Sequence, residues 1–212
     1  LLILLDLAST QLAKASMEEV STVLYYKVLE WAGYSQNIKV AAFERKLQKD
    51  GRYQEFLDFF TNYTDGELWD EYRNDPLVVD STIPDIAHQL YPNLFKTSTS
   101  FSTVTEDWIV FTDAQAKEMI DIAREASGKE HILFIVDEVG HYVGARKQLI
   151  TNLDGLAKNI KEIGDGKVWF IGTAQQTLKE DNENAAFNST HLSQLQDRFP
   201  ITVDLEAHDI KE

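Results

Sequence analysis

Two adjacent carboxylates, Asp137 and Glu138, directly follow the apolar run Ile132 to Val136. Burying charge is costly unless it is paired or bound to metal, so acids at the end of a core strand are candidates for chemistry. An apolar strand followed by Asp-Glu is the Walker B arrangement. Asp137 would hold Mg²⁺ through water, and Glu138 would orient or deprotonate the water that attacks a γ-phosphate. The plain alternative is a strand that ends in a polar loop.

A second apolar run, VWFIG, is followed by the polar residue Thr173. In P-loop ATPases of the AAA+ type, the strand after Walker B carries a polar sensor residue at this position. The sensor contacts the attacking water or the γ-phosphate, and Thr173 matches its place in the chain, with Gln175 and Gln176 as nearby alternatives. Thr173 is also explained as the cap of the following turn.

A third candidate, Arg198, precedes the apolar segment FPITVDL. The AAA+ pattern places an arginine here that reaches the ATP of a neighbouring subunit. A guanidinium suits the role because it is permanently charged and binds phosphate oxygens with two donors. The alternative is a surface arginine or an ion pair, for example with Asp197. Acid pair, sensor and arginine in this order favour an ATPase core.

Strands that alternate with helices position these candidates. Apolar runs predict strands over 1–7, 107–112, 131–136, 167–172 and 201–205. Helical spacing, together with stop signals at glycines, predicts helices over 11–33, 114–127 (capped by Asp113), 145–163 and about 189–197. The alternation predicts an α/β fold with a parallel sheet, an AAA+-like P-loop NTPase core. Ligands bind such sheets beyond the carboxyl ends of the strands.

The core is predicted to be interrupted by a mainly helical insertion. A strand and helix of the core occupy 1–35, the insertion 36–107, and the Walker B, sensor and arginine segments 108–212. Within the insertion, helices are predicted over 38–50, 52–62, 65–73 and 82–91. Helical spacing favours core packing over partner binding for its aromatic residues Phe56, Phe59, Phe60, Tyr63, Trp69 and Tyr72.

Composition restricts the setting and the partners. The chain of 212 residues has 20 basic and 35 acidic residues, a net charge of −15. Nucleic-acid binding depends on cations that neutralise phosphates, so DNA contact by this segment is not expected. The absence of cysteine fits a reducing, cytoplasmic setting, and no apolar run is long enough to predict a membrane span.

A phosphate-binding loop is missing from the predicted ATPase. The pattern GxxxxGK[ST] does not occur in the sequence. The first strand is therefore interpreted as the one after the P-loop helix, which agrees with the abrupt apolar start at Leu1. We expect the chain to be a fragment of a longer ATPase that binds ATP and Mg²⁺, and we expect the fragment alone not to hydrolyse ATP.

Several stretches resemble the large P-loop proteins of bacterial BREX phage-defence systems, the BrxC or PglY family. They are VDEVGHYVG, GLAKNIKEIGDGKVWFIGTAQQTL, and LDLASTQLAKASMEEVSTVLYYKVLEWAGYS. The resemblance implies a very large ATPase in a defence complex with other BREX proteins, including a DNA methyltransferase, and it leaves self-association open. The family's Walker B acids correspond to Asp137 and Glu138. The missing P-loop is the departure.

Two other functions remain as alternatives. One is a non-catalytic scaffold with a degenerate nucleotide site, which the presence of both acids disfavours. The other is a fragment of a DExH-type helicase, which the acidic balance disfavours, as does the separation of His141 from Glu138 by two residues. A zinc protease is disfavoured because its motif needs two histidines one helical turn apart on a helix, whereas here a single histidine, His141, follows a predicted strand.

Overall fold

The computed structural model describes residues 1–9, 18–103, 112–144, 146–173, 198–201 and 203. These residues form two compact units. The helical unit comprises Leu1 and Leu24–Glu130, and the sheet unit comprises Leu2–Val23 and His131–Glu212. The combination of helices with parallel strands confirms the predicted α/β class. No helix in the described ranges has the length and apolar character needed to cross a membrane.

Three parallel strands form the sheet, in the spatial order β1-β2-β3. They are β1 (Leu2–Asp6), β2 (Ile132–Asp137) and β3 (Val168–Gly172). The strands predicted over 1–7, 131–136 and 167–172 are thereby confirmed to within one or two residues. Because all three run in the same direction, their carboxyl ends meet at one edge, where Asp6 lies opposite Asp137.

Two helices of the sheet unit follow β2. The short α7 (Val139–Val143) begins immediately after Glu138, where the sequence analysis predicted no element. Its apolar residues Val139, Tyr142 and Val143 are buried, which explains why the segment is helical. The longer α8 (Lys147–Gly164) was predicted over 145–163, and it packs against β3.

Helix α1 (Val20–Trp31) is shorter than the helix predicted over 11–33. Residues 10–17 lie outside the described residues, and Glu18 and Glu19 are not helical. A tertiary contact explains the difference. The buried Asn152 side chain accepts from the Ser21 backbone N–H at 3.1 Å and donates to the Glu19 carboxylate at 2.7 Å, so the segment before α1 is tied to α8 instead.

Within the helical unit, helices α2 to α5 largely match the helices predicted over 38–50, 52–62, 65–73 and 82–91. The bounds are α2 (Ile38–Lys49), α3 (Tyr53–Tyr63), α4 (Trp69–Tyr72) and α5 (Pro76–Leu90). Helix α4 is shorter than predicted and α5 begins earlier, because Asp75 caps it and Pro76 occupies its first turn. Helix α6 (Thr112–Ser127) begins one residue before its predicted cap, so Thr112 is helical and does not end a strand.

The core of the helical unit is aromatic. Phe56 and Phe60 are fully buried, and each packs edge-on against Trp69 with ring centroids 5.1 Å apart. Such aromatic pairs add about 0.5–1.5 kcal/mol each beyond the area that they bury. The prediction that these residues form a core is confirmed for these three. It is wrong for Tyr63, which is exposed and donates to Asp85.

Gly164 ends α8 where the helix meets β3. A Cβ atom at Gly164 would lie 2.8 Å from Cβ of Val168, closer than real Cβ atoms approach. Asp165 and Gly166 follow in the left-handed conformation, with φ of 51° and 68°. The glycines of this segment therefore end the helix, as the sequence analysis expected, and form the turn that leads into β3.

The Gly164→Ala variant should lose about 1–3 kcal/mol of unfolding free energy, because the added methyl group overpacks against Val168. Urea denaturation of the single variants and the double variant with Val168→Ala measures this, and the double variant should lose less than the sum of the two. Gly155 on α8 is the matched control, since a Cβ there meets nothing within 4 Å. Gly155→Ala should stabilise by about 0.5–1 kcal/mol. Equal effects at both glycines would contradict the contact.

Candidate functional site

Asp137 and Thr173 lie side by side at the carboxyl edge of the sheet. Asp137 is the last residue of β2, and Thr173 follows β3, whose backbone pairing continues through a 3.0 Å bond from the Thr173 N–H to the Val136 carbonyl. The Thr173 hydroxyl donates to Oδ1 of Asp137. Adjacent parallel strands therefore bring together two residues that are 36 positions apart in the sequence.

Glu138 adopts a left-handed backbone conformation, with φ 60° and ψ 24°. Non-glycine residues pay about 1–2 kcal/mol for this conformation, and such residues concentrate at functional sites. Two acceptors hold it in place: its backbone N–H donates to Oδ1 of Asp137 at 3.0 Å and to the Thr173 hydroxyl at 3.2 Å. The Asp137, Glu138 and Thr173 contacts form one small network, which we call the DET site.

Asp6 lies beside this network on β1, opposite Asp137 in the strand register. Neighbouring strands are ~4.8 Å apart, so the two acids make this edge of the sheet electronegative. Oδ1 of Asp6 accepts from the backbone N–H groups of Ala8 at 2.8 Å and Ser9 at 3.3 Å, and so caps the turn after β1. Sequence analysis did not single out Asp6; the signal was an acid at the end of the first apolar strand.

Arg198 is paired within its own chain. Its Nε donates to Oδ1 of Asp154 on α8 at 2.7 Å, and both side chains are partly exposed. In the described part of the chain, Arg198 makes no contact with the DET site. The sequence analysis named Asp197 as an ion-pair partner, and Asp197 lies outside the described residues.

The structure describes only some of the other residues and elements that the sequence analysis singled out. Gln175, Gln176 and the helix predicted over 189–197 lie outside the described residues. Of the strand predicted over 201–205, Ile201 and Val203 are described, and neither lies in a strand. His141 is exposed on α7. Over the described ranges, no group of three or more histidine and acidic side chains is arranged to hold a metal ion.

A cation at the DET site would need further ligands from water and from a bound nucleotide. The hydrogen bonds that the Asp137 side chain accepts in the described part of the chain fall on Oδ1, which leaves Oδ2 to accept from water. Mg²⁺ that is bound together with a nucleotide takes one or two protein carboxylates and completes its shell with water and phosphate oxygens. One carboxylate, a neighbouring acid and a hydroxyl match that requirement.

Comparison with known proteins does not assign this chain to a family. No protein-family model matches the sequence, and no solved structure matches the fold. Functional inference therefore depends on the geometry of the DET site and on the sequence resemblance described above.

Proposed function

We propose that the chain is the Walker B and sensor portion of a Mg²⁺-dependent ATPase of the BREX phage-defence type. In this proposal ATP hydrolysis drives or regulates the assembly of a defence complex on DNA, with other BREX proteins and a DNA methyltransferase as partners. The observation that supports the ATPase part is the hydrogen bonding of Thr173 to Asp137 and to the backbone of Glu138. The BREX part rests on the sequence resemblance.

Each residue of the DET site has a role that its geometry permits. Asp137 would hold the water shell of Mg²⁺ through Oδ2, while Mg²⁺ neutralises charge on the phosphates. Glu138, whose backbone is left-handed, would accept a proton from the attacking water. Thr173 would keep both acids in position, because its hydroxyl donates to the Asp137 carboxylate and accepts from the backbone N–H of Glu138.

Arg198 would act on the ATP of a neighbouring subunit, as the AAA+ pattern implies. Its present partner, Asp154, would have to release it, and an exposed ion pair of this kind is worth only about 0–1 kcal/mol. The proposal therefore includes self-association of the longer protein.

The test is steady-state ATP hydrolysis by the longer protein in which a phosphate-binding loop is joined to this chain. Glu138→Gln should lower turnover at least ~100-fold, because glutamine keeps the size of the side chain and cannot accept the proton. ATP binding should be retained. Glu162→Gln, on the exposed surface of α8, is the matched control and should hydrolyse ATP at the native rate. The 212-residue chain alone should be inactive.

Two outcomes would contradict the proposal. The native protein could be inactive with its partners present, or Glu138→Gln could be as fast as the native protein. Either result makes Asp137 and Glu138 structural, and the non-catalytic scaffold with a degenerate nucleotide site takes the place of the ATPase.

A further inference from the structure

Tyr142 on α7 is hydrogen-bonded through both its backbone and its side chain. Its backbone N–H donates to the Glu138 carbonyl at 2.9 Å, which is the first helical bond of α7. Its phenol O–H donates to the backbone carbonyl of Glu18, in the segment before α1, and the side chain is only 9% exposed. The side-chain bond joins two residues that are 124 positions apart in the sequence, and through Tyr142 it links Glu138 to that distant segment.

The polar backbone groups of Glu138 are held from two sides. The Glu138 N–H donates to Oδ1 of Asp137 and to the Thr173 hydroxyl. The Glu138 carbonyl accepts from the N–H of Tyr142. A left-handed conformation is strained for a residue other than glycine, and it persists only where the surrounding structure holds it in place. The DET site holds the N–H side of Glu138, and Tyr142 holds the carbonyl side.

Helix α7 needs an anchor because it is short. It has five residues, and a helix of this length is not stable by itself. Val139 and Val143 are buried, but the burial of apolar groups has no preferred direction, so it does not fix the rotation of α7 or its position along its own axis. The hydrogen bond from Tyr142 to Glu18 is directional and therefore restricts both.

The acceptor of the Tyr142 hydroxyl lies in a segment that is itself tied down. Immediately after Glu18, the side chain of Asn152 on α8 accepts from the Ser21 N–H at 3.1 Å and donates to the Glu19 carboxylate at 2.7 Å. Burial raises the pKa of the Tyr142 hydroxyl above its ordinary value of 10, so the hydroxyl stays protonated and can donate at neutral pH. Tyr142 therefore ties α7 to a fixed part of the sheet unit.

We propose that Tyr142 is a positioning residue, which keeps Glu138 in its left-handed conformation by tying α7 to the backbone of Glu18. The inference rests on the proposed function, in which Glu138 accepts the proton of the attacking water. General-base catalysis depends on a base that is already placed at the reacting atom, so a small displacement of that base costs much of the rate. Tyr142 acts on the reaction only through Glu138.

The first experiment measures backbone amide exchange by NMR in the 212-residue chain, which needs no hydrolysis. Tyr142→Phe keeps the ring and removes the hydroxyl. The amides of Glu138 and Tyr142 should exchange about 2- to 10-fold faster, as the loss of one net hydrogen bond implies, while the Phe134 amide in the middle of β2 keeps its native rate. Tyr25→Phe is the matched control, because the buried Tyr25 also donates its hydroxyl, to Glu118 in the helical unit. This control should leave the exchange of the Glu138 amide unchanged.

The second experiment measures ATP hydrolysis by the longer protein. Tyr142→Phe should lower kcat about 10-fold per ATP-binding site and leave the KM for ATP unchanged, because Glu138 acts on the attacking water and not on the nucleotide. In the Glu138→Gln background the same change should have no further effect, since the carboxylate that Tyr142 positions is already gone. A merely structural residue would lower the rate by the same factor in both backgrounds. Tyr25→Phe should hydrolyse ATP at the native rate.

Three results would overturn the proposal. An unchanged exchange rate of the Glu138 amide in Tyr142→Phe would show that the hydroxyl does not hold Glu138. Equal acceleration at Glu138 and Phe134 would show that Tyr142 stabilises the sheet unit as a whole. A native kcat of Tyr142→Phe, in a protein that hydrolyses ATP, would separate the conformation of Glu138 from catalysis. An inactive native protein is a different result, which contradicts the proposed function, and the exchange rates alone then decide whether Tyr142 holds Glu138.

Discussion

The Glu138→Gly variant is expected to be more stable than the native chain and at least ~100-fold slower in ATP hydrolysis by the longer protein. The two effects have separate causes. Glycine adopts the left-handed conformation of Glu138, φ 60° and ψ 24°, without steric cost, and it removes the carboxylate that the proposed mechanism needs. A residue that destabilises the fold but is needed for turnover gives this combination of a gain in stability and a loss of activity.

The size of the stability gain follows from two opposing terms. Relief of the left-handed strain raises the unfolding free energy by about 1–2 kcal/mol. The greater freedom of glycine in the unfolded chain lowers it by about 0.4–1 kcal/mol. A net gain of about 1 kcal/mol remains for the sheet unit. Amide hydrogen exchange in β2 and β3 measures it directly, since a chain of two units need not unfold in one step.

Two matched variants separate strain from chemistry. Glu138→Ala removes the carboxylate and keeps the strain, so it should be inactive and less stable than Glu138→Gly. Asp165→Gly relieves a left-handed residue with φ 51° and ψ 43° at the end of α8, outside the DET site, so it should stabilise the sheet unit and leave turnover unchanged. If Glu138→Gly destabilises the chain, or if Asp165→Gly also abolishes turnover, the conformation of Glu138 has no special role in activity.

The sheet and the meeting of Asp137 with Thr173 could be predicted from the sequence, because both depend on local pattern and general topology. Continuous apolar runs indicate buried parallel strands, and neighbouring parallel strands bring their ends to one edge. The conformation of Glu138 could not be predicted, because a glutamate carries no sequence signal for positive φ. It depends on the acceptors at Asp137 and Thr173, which are defined only once β2 and β3 pair.

Most errors in the helices have a tertiary or capping origin. Helical spacing continues through Glu19, yet the Asn152 side chain binds that residue and Ser21, and no local pattern encodes a contact across more than 130 residues. The start of α5 was within reach of the sequence, because Asp75 followed by Pro76 is a cap followed by a first-turn proline. The ion pair of Arg198 with Asp154 depends on the position of α8 and was not predicted.

Glu44→Ala should destabilise the helical unit by about 2 kcal/mol, the largest stability loss that we expect from a polar residue there. Glu44 on α2 is fully buried. Its carboxylate accepts from the Ser35 backbone N–H at 2.8 Å and from the Trp69 indole N–H at 2.7 Å. Truncation leaves both donors buried without an acceptor, at about 1–3 kcal/mol each, and the relief of burying a carboxylate offsets part of that loss.

The measurement is urea denaturation with the Trp69 indole NMR signal as the probe. Glu44→Gln should lose less than Glu44→Ala, because the amide oxygen still accepts one of the two bonds. Glu55→Ala is the matched control: Glu55 is an exposed residue of α3 paired with Arg52, and its removal should change stability by less than about 0.5 kcal/mol. Equal losses at Glu44 and Glu55 would contradict the role of the buried bonds.

The pH dependence of the unfolding free energy is a second test of the Glu44 carboxylate. Burial raises the pKa of Glu44 above its ordinary value of 4.5, and the bonds from Ser35 and Trp69 together with the charge of Arg73 counteract only part of this rise. The folded chain therefore holds the proton more tightly than the unfolded chain. This contribution to stability is complete below pH 4.5 and is lost as the pH rises through the folded pKa. The unfolding free energy of the native chain, relative to that of Glu44→Gln, should fall across this window; a difference that rises would mean that the hydrogen bonds to the ionised carboxylate outweigh its burial.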